Sequence, residues 1–149
     1  MKKSYSLIKI LIIYFFFISI GFAAEVNYFN KGKTLFDKKE FDKSKIFFER
    51  DIVFNPKNER SYLYLAKIFN KDDNDLEEEI NLNNVLLLNP QNEEAIYMLI
   101  LLKIRQSDYS EAKELIEKFD LVCNSFCIKK NEIQEKFSKL TPKNEKNNN

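Results

Sequence analysis

The 149-residue chain carries 24 basic and 23 acidic residues, a formal net charge of +1, and 32% of it is charged. So even a balance argues against nucleic acid as a partner, because phosphate binding needs a concentrated basic surface. Histidine is absent, which removes Ser-His and Cys-His nucleophile pairs and the commonest zinc, haem and copper ligand sets; two glycines and three prolines are too few to punctuate a strand-and-turn fold.

In chain order, Lys2, Lys3 and Lys9 precede an apolar run from Ile10 to Phe22, and Gly21, Ala23 and Ala24 close it. These are the parts of a secretory signal peptide, residues 1–24, cut after Ala23 or Ala24. An uncleaved membrane anchor is the competing reading, although the 15 residues from Ile10 to Ala24 fall short of the ~18–20 that cross a bilayer as a helix. No cysteine follows the run to mark a lipid-modified N-terminus. Removing the leader takes away three lysines, lowers the charge from +1 to −2, and leaves a chain the size of one domain.

The next segments read as helices. Tyr28, Gly32 and Leu35 fall at i, i+4 and i+7, one helical face. Gly32 and, later, Ala66 make that face small enough for a neighbouring helix to approach closely. Phe41, Ser44, Phe48 and Ile52 form the complementary stripe of a second helix. Pro56 and Pro90 stop the helices ahead of them. Asn58 and Asn92 are placed to cap the helices that follow, with Glu93 and Glu94 in a favourable first turn, and Asp108 to cap the segment from Tyr109 to Phe119. Asp72-Asp73-Asn74-Asp75 shares part of a calcium-loop pattern but lacks its glycine and spaced glutamate, so it reads as a capping turn, with Glu77, Glu78 and Glu79 solvated behind it.

The segment Ala95–Arg105 has almost no polar face. Either the neighbouring helices and the C-terminal cap enclose it, or its open side is a docking or self-association surface. Cys123 and Cys127 follow an export signal and are even in number, which favours a disulfide fixing how the last helix leaves the domain. From about Ile128 to Leu140, Ile133, Phe137 and Leu140 make a single apolar stripe on an otherwise charged helix, a solvating cap over residues 127–140. Thr141-Pro142 ends it, and the Lys/Asn/Glu tail, 141–149, reads as disordered.

Beneath these elements lies a period. Asn55-Pro56-Lys57-Asn58 returns as Asn89-Pro90-Gln91-Asn92 and Tyr28 as Tyr62, each shifted by 34; Phe41-Asp42-Lys43-Ser44 corresponds to Tyr109-Ser110-Glu111-Ala112, shifted by 68; Phe48 maps to Leu82 and Ile116. With this spacing and its Asn-Pro endings the chain resembles the tetratricopeptide repeat family. Three departures stand out. Leu76 sits one residue late, which predicts a turn one longer and a helix one shorter in the middle unit. Asp51 takes a place usually held by alanine, and Asn124 stands where the third unit should end in proline.

The resemblance implies an all-α, right-handed superhelix of three helix-turn-helix repeats, 25–58, 59–92 and 93–126, plus the capping helix. It implies that the first helix of each repeat lines a concave groove: Val26, Phe29, Lys33 and Phe36; then Arg60, Leu63, Lys67 and Lys71; then Glu94, Tyr97, Leu101, Ile104 and Arg105. This apolar floor with a basic rim suits a protein segment, extended or helical, that carries bulky apolar residues and some acids. Phe29 and Leu63 occupy places that a terminal-carboxylate clamp would need, so that specificity is not expected. No catalytic, cofactor-binding or metal-binding set emerges, and no Gly-rich phosphate loop. The expected role is a non-enzymatic adaptor or scaffold exported to the periplasm. The alternative is a membrane-anchored subunit of a permanent envelope complex, membrane association depending on an uncleaved leader; a thiol-disulfide redox protein is the remote third.

Overall fold

The structure is a computed structural model and describes residues 27–140. The leader, Val26 and the expected disordered tail lie outside the described residues, as does the side chain of Leu140.

Described residues form helices α1 (Tyr28–Asp37), α2 (Phe41–Phe54), α3 (Glu59–Lys71), α4 (Asp75–Leu88), α5 (Glu93–Arg105), α6 (Tyr109–Val122) and α7 (Lys130–Leu140), with a 3-10 turn, Ser125–Lys129, before α7. The boundaries repeat with the sequence period. Second helices begin at Phe41, Asp75 and Tyr109 and end at Phe54, Leu88 and Val122, in steps of 34.

The turn inside each pair explains this regularity. Lys39, Asp73 and Ser107, also 34 apart, all have positive φ, at 63°, 52° and 62°. In each turn the next amide reaches back five residues: Glu40 N–H to the Leu35 carbonyl, Asn74 N–H to Phe69, Asp108 N–H to Lys103, at 2.9 Å in all three. That is a Schellman ending, in which one left-handed residue reverses the chain and satisfies helix carbonyls. Asn74 and Asp108 then cap the following helices, accepting from the amides of Glu77 and Glu111.

The expectation of a longer middle turn is therefore wrong. α4 starts in register at Asp75 because Asn74 caps it there, and it is as long as α2. Asp75 fills the place held by Phe41 and Tyr109, and Leu76 is left exposed.

Asn92 and Asp108 cap as expected, but Asn58 does not. Its side-chain amide donates to Asp51 Oδ2 at 2.6 Å, and the Ser61 hydroxyl donates to the same oxygen. Asp51, buried where alanine was expected, accepts from Asn55 as well, so its charge is solvated by donors around the Asn55–Asn58 connection. Without proline at its end, the third unit uses Glu93 instead. This carboxylate accepts from the amides of Asn124 and Phe126 at 2.6 and 2.8 Å, and those bonds hold its pKa below the usual value.

The core is continuous from unit to unit. Phe29, Phe48, Leu65 and Ile68 join α1, α2 and α3; Leu63, Leu82, Val85, Leu99 and Leu102 join α3, α4 and α5; Ile96, Ile100, Ile116, Phe119 and Ile133 join α5, α6 and α7. α5, apolar all round, packs against α4, α6, the 3-10 turn and α7, which bury Ile96, Leu99, Ile100, Leu102 and Ile104, while Tyr97, Met98 and Leu101 stay half-buried. In the first two units a small residue faces a large one, Gly32 with Phe48 and Ala66 with Leu82, and in the third Ile100 faces Ile116; all are buried.

At Gly32 the fit is tight. A Cβ built there would stand 2.8 Å from the Phe48 ring, and the Gly32 carbonyl accepts from the Ser44 hydroxyl across the same contact. Gly32→Ala gains about 1 kcal/mol of helix propensity but overpacks against a ring with nowhere to go, at a cost of roughly 1–3 kcal/mol. Denaturant unfolding should show a net loss for Gly32→Ala, largely recovered by adding Phe48→Leu; additive effects would mean the ring is not the obstacle.

Candidate protein-binding groove

First helices present side chains to the inner face at intervals of three and four residues. Contacts between these helices bring some of the residues expected in the groove together. Arg60 of α3 lies over the Phe29 ring of α1 at 4.0 Å, and Lys67 of α3 pairs with Glu94 of α5 at 2.9 Å. Lys71 reaches the Phe41 ring at 4.9 Å.

Its floor differs from the expectation. Phe29, Leu63 and Ile104 are buried, because each is claimed by the core between neighbouring helices. Phe36 is half-buried, edge-on to Phe41 and Tyr64 at 5.2 and 4.9 Å. What the groove exposes at its N-terminal end is not bare aromatic surface but cations laid over rings, with Arg60 on Phe29, Lys67 on Tyr64 and Lys71 on Phe41. Each stacked cation is drawn to the ring quadrupole; Arg60 and Lys71 still offer their charge to solvent, while Lys67 is also paired with Glu94. Arg60 and Lys71 have no carboxylate partner among the described residues, whereas Lys33 pairs with Asp37 at 2.7 Å, an exposed pair of little energetic weight.

At the other end the cap completes the site. Leu101, Ile104, Asn70 and Arg105 line a cleft of about 500 Å³ together with Lys136 and Lys139 of α7. Sequence reasoning missed these two lysines. Their signal was present: residues 136 and 139 flank the stripe Ile133, Phe137, Leu140 that seats α7. Tyr97 is less available than expected, because its hydroxyl donates to Glu132 of α7 at 2.9 Å. Burial and that carboxylate raise the Tyr97 pKa, while Lys129 and Tyr97 lower that of Glu132.

Arg105 has a structural duty. It bonds Asp75 and Glu78 at 2.8 and 2.6 Å, and Asn70 donates to Glu78 as well. Glu78 is buried with its side chain 1% exposed, and this desolvation raises its pKa even with Asn70 and Arg105 against it. Nearby, Lys103 is buried between Glu79 and Glu111 at 2.6 and 3.0 Å. Burial opposes its charge, yet the two carboxylates prevail and raise its pKa.

Cys123 and Cys127 come together where α6 passes into the 3-10 turn, with sulfurs 2.04 Å and Cα atoms 5.1 Å apart.

No protein-family model matches this sequence, and no curated protein matches it either. Solved structures do. The crystal structure of the Sgt2 TPR domain from Aspergillus fumigatus superposes with a TM-score of 0.65 at 16% identity, covering 82% of this chain and 84% of that one. The fold is thus that of a tetratricopeptide-repeat domain.

A raised carboxyl pKa means that folding favours protonated Glu78. The stability this contributes is complete below the unfolded pKa and is lost as pH rises through the folded one. Glu78→Gln should therefore leave the thermal midpoint unchanged near pH 4 and raise it at pH 7. A lower midpoint at pH 7 would show that the ionised pair with Arg105 is worth more than its burial costs.

Proposed function

We propose that this chain is a non-catalytic interaction module whose inner groove receives a segment of another protein bearing bulky apolar residues and carboxylates. One observation carries the reading: the cleft beside the half-buried Leu101 is rimmed by Arg105, Lys136 and Lys139, and Arg60 and Lys71 of α3 add two ring-mounted cations. Apolar anchors in the cleft supply affinity, and the row of cations sets orientation and association rate. The tetratricopeptide fold supports a binding role, since its stacked helices leave one long concave wall available to a partner.

A labelled amphipathic peptide of leucine, phenylalanine and glutamate, compared with its lysine counterpart by fluorescence anisotropy, tests this. The acidic peptide should bind, more weakly as salt rises. Arg60→Glu/Lys71→Glu/Lys136→Glu should weaken it by about tenfold or more, ~1.4 kcal/mol, with helicity by circular dichroism intact. Equal binding by the variant, or preference for the lysine peptide, would contradict the groove. Arg105 is a poor choice for charge reversal, because a glutamate there would face buried Glu78 and unfold the domain for reasons unrelated to binding.

We place this activity in the cell envelope, on the far side of the inner membrane. The basic-apolar-small leader and the juxtaposed cysteines agree on an oxidising compartment. A mass spectrum of unreduced native protein should show no free thiol and an N-terminal peptide beginning at Ala24 or Glu25. Two free thiols would contradict the disulfide, and an intact Lys2–Ala24 segment would favour the anchored form.

A further inference from the structure

Three exposed aliphatic residues recur at one position of the repeat. Val53, Leu87 and Leu121 are each the penultimate residue of a second helix, 34 residues apart, and are 75%, 79% and 87% exposed. Burial in the stack does not account for them, and the groove on the first helices does not use them. Phe54 and Ile128 extend the same edge, and Leu88 is partly exposed beside Leu87.

This edge differs in chemistry from its opposite. Connections on the aliphatic side, residues 55–58, 89–92 and 123–130, contain Lys57, Lys129 and Lys130, and the carboxylates beside them, Glu59 and Glu93, are bonded to Asn89 and to the amides of Asn124 and Phe126. Lys57 has no carboxylate partner among the described residues; Lys129 and Lys130 make exposed pairs with Glu132 and Asp120. The turns at the other end, 38–40, 72–74 and 106–108, hold Lys38 and Lys39 beside Glu40, Asp72, Asp73 and Asp108. The aliphatic edge thus carries one unpaired lysine, and the opposite edge is acidic on balance.

The N-terminal segment joins at the apolar edge. Asn27 caps α1 there, and the Tyr28 ring stacks on Phe54 with centroids 5.3 Å apart. The apolar run of the leader ends at Phe22, five residues earlier, a span of at most about 17 Å fully extended. We propose that this edge seats on the surface of an anionic phospholipid bilayer, with Val53, Leu87 and Leu121 entering the interface and the groove held parallel to it. A bilayer fits better than a flat protein surface, because Val53, Leu87 and Leu121 form a spaced row beside only an open hollow at Phe54–Asn58, the apolar leader joins at the same edge, and Lys57 there has no carboxylate partner among the described residues. A retained leader delivers the edge to the bilayer, and a removed leader leaves the same residues to find it.

The chain has no tryptophan, so a single introduced one reports its own surroundings. Full-length protein carrying Leu87→Trp or Leu121→Trp is mixed with phosphatidylglycerol vesicles whose acyl chains are brominated. Leu76→Trp is the control: Leu76 is 69% exposed but lies eleven residues up α4 from Leu87, about 17 Å away toward the acidic edge. Emission at positions 87 and 121 should shift to the blue and be quenched severalfold more than at position 76. Equal quenching at all three positions would overturn the proposal. So would a blue shift that grows with protein concentration in the absence of lipid, which would assign the edge to a second copy of the chain.

Discussion

The fold depends on how closely the two helices of each repeat approach one another. A helix pair of this size cannot cover its own apolar faces, so each pair must stack on the next, and the stacking is regular only if every pair presents the same shape. In the first two units the chain meets this constraint by exchanging volume rather than conserving residues: glycine meets phenylalanine in the first and alanine meets leucine in the second, while the third packs isoleucine on isoleucine. A left-handed residue at the same point of every intra-repeat turn starts each second helix in register, and all three second helices have 14 residues.

Polar residues buried between units follow from the same geometry. Asp51, Glu78 and Lys103 occupy places in the stack where an apolar side chain could sit, and each is surrounded by donors or opposite charges: Asp51 by Asn58 and Ser61, Glu78 by Asn70 and Arg105, Lys103 by Glu79 and Glu111. Among the described residues no buried side-chain polar atom lacks a hydrogen-bond partner. Such groups specify which helix faces which at a cost in stability. They also separate the cations, since Arg105 is committed to Glu78 while Arg60 and Lys71 rest on aromatic rings without a carboxylate partner among the described residues.

Architecture was largely legible in the sequence because a fixed period fixes both element order and packing. Asn92 and Asp108 could be read as caps, and Ile133 and Phe137 as the seat of the last helix, since those roles depend on local spacing. Four features were not legible. Leu76 suggested a shifted helix because hydrophobic pattern was weighed above the cap at Asn74, which sets the start. Asn58 looked like a cap because nothing local reveals that a buried Asp51 competes for its amide. Phe29, Leu63 and Ile104 were read as groove floor, yet whether a side chain on an inner helix faces the wall or the neighbouring helix is decided by packing across repeats. Lys136 and Lys139 entered the site for the same reason, brought by a helix whose docking angle no local pattern records.

The central claim is that a partner lies in the groove beside the cap rather than against the outer helices. Photocrosslinking in cells from a benzophenone side chain at Leu101, compared with one at Asn83 on the exposed side of α4, tests it most directly. A discrete crosslinked product from position 101, lost when excess acidic-apolar peptide is added to permeabilised cells, is the expected result. Crosslinking from position 83 alone, or product from position 101 that the peptide does not displace, would contradict it.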